Sequence, residues 1–180
     1  VTLPGGKRTG FTFKPVIDPE IEKALRMGAP LPQSMIFYNP AFETDDGEQV
    51  TLSVKKTQLL YNQETGQYYH PSGSPYNPAN SFFGGSYTLT TKEGVEYEID
   101  GTTGDLLTVT DTNGNTLTYS DEGIFSSTGK SVTFERNASG RIVTAIDPKG
   151  ERIEYEYQKT GDLAGVPDRE ENTTRFEYHE

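Results

Sequence analysis

The sequence predicts an all-β protein of antiparallel hairpins with one short helix near the N-terminus. Three observations carry this. Glycines recur at a nearly fixed interval through the second half of the chain. Short segments between them alternate apolar and polar side chains. Strand-forming Tyr and Thr are abundant, whereas only one stretch has a helix signature. The interval is clearest at the C-terminal end. A shift of 21 lays Gly129 on Gly150, Val132 on Ile153, Phe134 on Tyr155, Gly140 on Gly161, Ile142 on Leu163 and Asp147 on Asp168. Self-similarity at such a period marks a repeat architecture.

The helix is expected over residues 18–27. Asp18 can cap it, Pro19 suits its first position, Glu20 and Glu22 favour its positive end, and Gly28 stops it. Ile21, Ala24 and Leu25 form its apolar side. Before it, residues 1–10 are Gly-rich and basic and read as a flexible tail, and Phe11–Val16 as an edge strand ending at Pro15. After it, Met35–Tyr38 is a strand candidate. Gln49–Val54 alternates, with Val50, Leu52 and Val54 on one face, and Gln58–Tyr61 is its expected return strand. Asn62–Gly66 turns the chain back through Gln67–Tyr69. Residues 70–80, with Pro71, Pro75 and Pro78, form a loop by composition. Residues 1–80 are thus read as a lead-in β region, and residues 81–180 as about four repeating units.

In that second part Tyr87–Thr91 is a strand turning at Gly94. Val95, Tyr97 and Ile99 alternate, residues 100–104 turn at Gly104, and Leu106–Thr110 leads to Asp111. Asn113-Gly114 is the strongest hairpin turn signal, followed by Leu117 and Tyr119. This unit is truncated: the interval from Gly114 to Gly129 is shorter than that from Gly129 to Gly150, and Asp121–Ser126 reads as the remnant of its second strand. The next units hold Phe134, Gly140 and Asp147, then Gly150, Tyr155, Tyr157, Gly161 and Asp168. A last, incomplete unit begins at Asn172 with Phe176 and Tyr178.

The net charge of −11 disfavours nucleic acid, because binding phosphates needs a basic stripe. No apolar run approaches the roughly 18 residues of a membrane-spanning helix. No leader pattern opens the sequence either, so no membrane insertion is expected of this segment. The absence of Cys excludes disulfides and thiolate metal sites. Asp111, Asn113 and Asn115 place side-chain oxygens at alternate positions, as a calcium loop does. No acidic residue follows where such a loop needs its bidentate ligand, and an Asx turn explains the same pattern. His70 and His179 lie far apart, which argues against a histidine-based metal or triad site. Tyr68, Tyr69, Tyr76, Tyr87, Tyr97, Tyr119, Tyr155, Tyr157 and Tyr178 could line a sugar-binding surface; sheet core and cross-strand ladders are the competing use. No catalytic residue and no cofactor is expected.

The residues Gly150, Tyr155, Tyr157, Gly161-Asp162-Leu163 and Asp168 resemble the YD-repeat family, also called Rhs repeats. So do Gly140-Arg141-Ile142 with Asp147-Pro148-Lys149-Gly150, and Gly104-Asp105-Leu106 with Asp111-Thr112-Asn113-Gly114. Gly85–Leu89 leading into Val95-Glu96-Tyr97 is similar to the family's lead-in segment. The resemblance implies hairpin repeats joined in a curved continuous sheet. It also implies a secreted or cell-surface protein of polymorphic-toxin type, possessing further repeats that enclose or display a C-terminal effector domain. Arg136 replaces a Tyr of the pattern, and Val166-Pro167 interrupts a strand end. No self-cleaving ending is present, so a protease role is not implied. The alternative is an extracellular adhesion module that recognises glycan or a partner protein, with calcium assisting. An open sheet edge is also expected to favour self-association.

Overall fold

The computed structural model describes residues 1, 6, 8–167 and 172–178. They are mostly antiparallel β, with one α-helix. Two compact units divide at Asn113/Gly114. The compositional boundary near residue 80 therefore lies inside the first unit.

The first unit contains β1 (Phe11–Phe13), β2 (Val16–Ile17), α1 (Pro19–Arg26), β3 (Phe37–Asn39), β4 (Phe42–Thr44), β5 (Thr51–Val54), β6 (Leu59–Asn62), β7 (Gln67–Tyr69), β8 (Ser86–Thr90), β9 (Glu96–Asp100) and β10 (Leu106–Thr110). Helix α1 forms where its signals predict. The Asp18 carboxylate accepts the Glu20 N–H, Pro19 opens the helix, and Gly28 leaves it at φ +83°. Its apolar residues are only half-buried, so it rests on the unit without entering its core. Strand β1 pairs with β4, and β2, β3, β6 and β7 form a four-stranded sheet in that order.

Strands β5, β8, β9 and β10 are successive antiparallel neighbours. One face carries two apolar rows: Leu52, Leu89, Tyr97 and Val109, then Val54, Tyr87, Ile99 and Leu106. The other carries Ser53, Thr88, Glu98 and Thr108 beside Thr51, Thr90, Glu96 and Thr110. The period-2 alternation of each strand sorts these sets to opposite faces. Leu52 and Leu89 are buried under Phe11, Phe42 and Val50.

Three expectations are corrected here. Gln58–Tyr61 does not return on Gln49–Val54. Leu59, fully buried, goes with β6 into the other sheet, and β5 takes β8 as its partner instead. Nor are residues 1–10 a free tail throughout. Among the described residues, Thr9 is buried and its hydroxyl donates to Asp46. The strand candidate at Met35 also starts later, because Gln33–Met35 is a 3₁₀ turn.

The second unit contains β11 (Thr116–Ser120), β12 (Gly123–Ser126), β13 (Ser131–Arg136), β14 (Ile142–Ile146), β15 (Arg152–Glu154), β16 (Glu156–Tyr157), β17 (Leu163–Pro167) and β18 (Thr173–Arg175). Strands β11 to β15 follow one another in chain order, and β16, β17 and β18 form a three-stranded sheet. Tyr155 separates β15 from β16, its N–H bonding to the Val143 carbonyl. The last strand stops at Arg175, short of Phe176 and Tyr178, which are exposed. Among the described residues of this unit no apolar side chain is fully buried; Gly123, Thr144 and Gly165 are its buried positions.

Candidate functional site

The turns are built alike. Thr91–Val95, Ser126–Lys130, Asn137–Arg141, Asp147–Glu151 and Gln158–Asp162 each begin with a residue whose N–H reaches the carbonyl four positions on. In each, the fourth residue is Gly94, Gly129, Gly140, Gly150 or Gly161, with φ between +78° and +99°, and its N–H donates back to the first carbonyl. This is the three-residue hairpin loop ending in a left-handed residue, a position glycine occupies without steric cost. Gly104 and Gly114 are also at positive φ, +79° and +81°.

Side chains at the first turn position hold the loop. Asn137 Oδ1 accepts the Ser139 and Arg141 N–H groups, and Asp147 Oδ1 those of Lys149 and Glu151. Asp111 Oδ1 accepts the Asn113 N–H at 2.8 Å, the Asx-turn bond that competes with the calcium reading. Asp111 and Asn113 close the first unit, and Asn115 lies at the start of the second. Among the described residues, no group of three or more His, Asp or Glu side chains is placed to hold a metal ion. Asp168 and His179 lie outside the described residues.

Asp100 Oδ1 accepts the Thr102 and Thr103 N–H groups, both at 2.8 Å. These bonds, Thr103's first, hold its carboxyl below the usual carboxylate range. A depressed folded value gives stability that is complete above the unfolded value, about 3.8, and is lost as pH falls through the folded one. Asp100→Asn keeps a side-chain acceptor but cannot titrate. Acid unfolding followed by circular dichroism should show the variant less sensitive to pH below about 4 than the parent.

The tyrosines divide between the two units. Tyr68 packs edge-on to Phe13 and Tyr38 and tilted on Tyr61, with centroids 5.0–5.7 Å apart. Tyr76 stacks on Phe13 at 5.4 Å and meets Phe83 edge-on, while Tyr87 meets Phe42. Burial raises the phenol pKa of Tyr68, Tyr76 and Tyr87, so these are packing groups at neutral pH. The Tyr76 hydroxyl is enclosed without a hydrogen-bond partner among the described residues. Tyr97 lies against the Leu52–Leu89 core. Tyr69 donates to Gln67 Oε1.

In the second unit Tyr119 pairs with Ile124, and Phe134 with Ala145. Tyr157 donates to the Ile142 carbonyl at 2.7 Å beneath the Arg141 guanidinium. Tyr178 is the most exposed ring of the set. Arg152 pairs with Glu135 and, with Thr144, lowers that carboxyl's pKa, the Arg152 hydrogen bond contributing most.

Sequence reasoning did not foresee the aromatic cluster of Phe13, Phe42 and Phe83, whose members come from separate turns and strands. It also missed the role of Gly123, which approaches the Val132 backbone too closely for a side chain. A glycine inside a strand rather than at a turn is the available signal.

Two local groupings have the elements of chemistry. His70 Nδ1 lies 2.8 Å from Ser72 Oγ, but it also accepts the Ser72 N–H, and its ring packs edge-on to Phe82 and Phe83. The pair is a contact within one tight turn. An open recess of about 510 Å³ is lined by Asn77, Ala79, Asn80, Ser81, Gly85, Asp100 and Thr102. Its polar groups cap neighbouring backbone: Asn77 holds the Ala79 N–H, Asn80 that of Phe82, and the Thr102 hydroxyl donates to the Ala79 carbonyl. Neither brings a nucleophile, a base and an oriented third group together.

No family model matches the chain, and no curated protein matches it.

Proposed function

We propose that the chain is a non-catalytic structural scaffold: a stretch of hairpin-repeat wall of the YD/Rhs kind. The observation that supports this most is the recurrence of strand and turn positions. Strands β14 and β17 lie one repeat apart and share one burial pattern, with Thr144 and Gly165 at the buried centre. The residues of β13, Ser131–Arg136, precede Arg152–Tyr157, the span of β15 and β16, by the same interval. Gly129 and Gly150 share φ +86°. Hairpins added one after another make a wall, and a wall works by excluding volume and solvent. No single side chain then carries a reaction.

On this reading the partner is the remainder of the chain's own polypeptide, namely further repeats and an enclosed or displayed effector domain, in a secreted or surface protein. Limited proteolysis of the natural polypeptide tests it. The expected result is a resistant body that joins this segment to more repeats and shields another domain. A natural polypeptide made of these 180 residues alone would overturn it.

A second reading is a glycan- or protein-binding module, with calcium assisting. The exposed Tyr178 ring favours it. Thermal unfolding with calcium or with EDTA separates the two. The scaffold predicts coincident melting curves, whereas a calcium-assisted module predicts stabilisation by the ion.

A further inference from the structure

The sheet of β11 to β15 has an apolar face that the described residues of its own unit cover only in part. Cross-strand register puts Tyr119, Ile124 and Val132 in one row and Phe134, Ala145 and Ile153 in another; Leu117 shares their face by strand alternation. The corresponding rows in the first unit lie under Phe11, Phe42 and Val50, and Leu89 there is only 2% exposed. Here Leu117 is 38% exposed and Ile153 41%. A sheet with one apolar face is ordinarily buried against another layer.

We propose that this face packs on the same face of a second copy, forming a weak, concentration-dependent sandwich. Charge favours a copy as the occupant. None of these seven side chains is Asp, Glu, Lys, Arg or His, so two molecules of net charge −11 can meet there without burying like charges. The ionic groups Glu135, Arg152 and Glu154 lie on the opposite face, with Thr118, Thr133 and Thr144 and two apolar side chains, Phe125 and Ile146. Size sets the strength. Five strands about 4.8 Å apart, with about five residues each at about 3.4 Å, present roughly 400 Å². Two such faces bury about 800 Å², short of the roughly 1,200 Å² at which stable interfaces begin. Aligned packing of two sheets about 10 Å apart is the geometry expected.

Sedimentation of the whole chain from micromolar to millimolar concentration tests this. The average mass should climb towards that of two chains. Leu117→Glu and Ile153→Glu should each hold it at one chain, while Thr118→Glu, on the opposite face, should associate like the parent. Circular dichroism checks each fold first; should Leu117→Glu unfold, Ile153→Glu on the other flank carries the test. A parent monomeric at millimolar concentration overturns the proposal. So does association that survives the face charges, which would place the contact at a strand edge. Either result leaves the scaffold reading standing.

Discussion

Gly123→Ala should be among the most damaging single-methyl changes in the second unit. An added Cβ would overlap the Val132 carbonyl oxygen and crowd the Thr133 Cα, at a buried position in β12 whose neighbours are backbone. Backbone cannot rotate aside as a side chain can. Strands β12 and β13 must separate or kink, at a cost of about 3 kcal/mol. Gly129→Ala and Gly140→Ala provide the contrast. Their φ values are +86° and +78°, with open space around the new methyl. Only the left-handed conformation is then penalised, by about 1 kcal/mol. Urea unfolding of the three variants should rank Gly123→Ala well below the other two. Equal losses would mean that β12 lies farther from β13 than described.

Leu89→Ala should produce one of the largest losses in the first unit. The side chain is 2% exposed and joins Leu52 under Phe11, Phe42, Tyr87, Tyr97 and Ile99. Removing it forfeits the transfer energy of the buried carbons and leaves a cavity that rings from two separate sheets would have to fill. About 3 kcal/mol is expected. Hydrogen exchange should show the loss concentrated in β5, β8 and β9. The Ile153 side chain is 41% exposed. Ile153→Ala should therefore cost less than about 1 kcal/mol in the isolated chain. Comparable losses at the two positions would contradict the burial difference between the units.

How much is legible in the sequence follows the range of the interaction concerned. Helix α1 is readable because Asp18, Pro19 and Gly28 act within a few residues. The turns at Gly94, Gly129, Gly140, Gly150 and Gly161 are readable for the same reason. The apolar alternation of β5, β8 and β9 marks their inward faces. The partner of β5 is not readable. Leu59 offers a short apolar segment close at hand, yet pairing with β8 aligns Leu52 with Leu89 and Val54 with Tyr87, a choice made by packing between distant parts of the chain. The packing of Tyr76 on Phe13 depends on still longer separation. Gly123 is visible as a strand glycine, but the need for it comes from Val132 on the next strand.

The chain-order pairing of β11 to β15 has a kinetic consequence. Each strand finds its partner in the segment just before it, so loop-closure entropy stays small at every step. This sheet can grow by successive zippering, and could do so from its N-terminal side as the polypeptide leaves the ribosome. The first unit must wait longer, because Phe13 cannot settle until Tyr68 and Tyr76 have been synthesised.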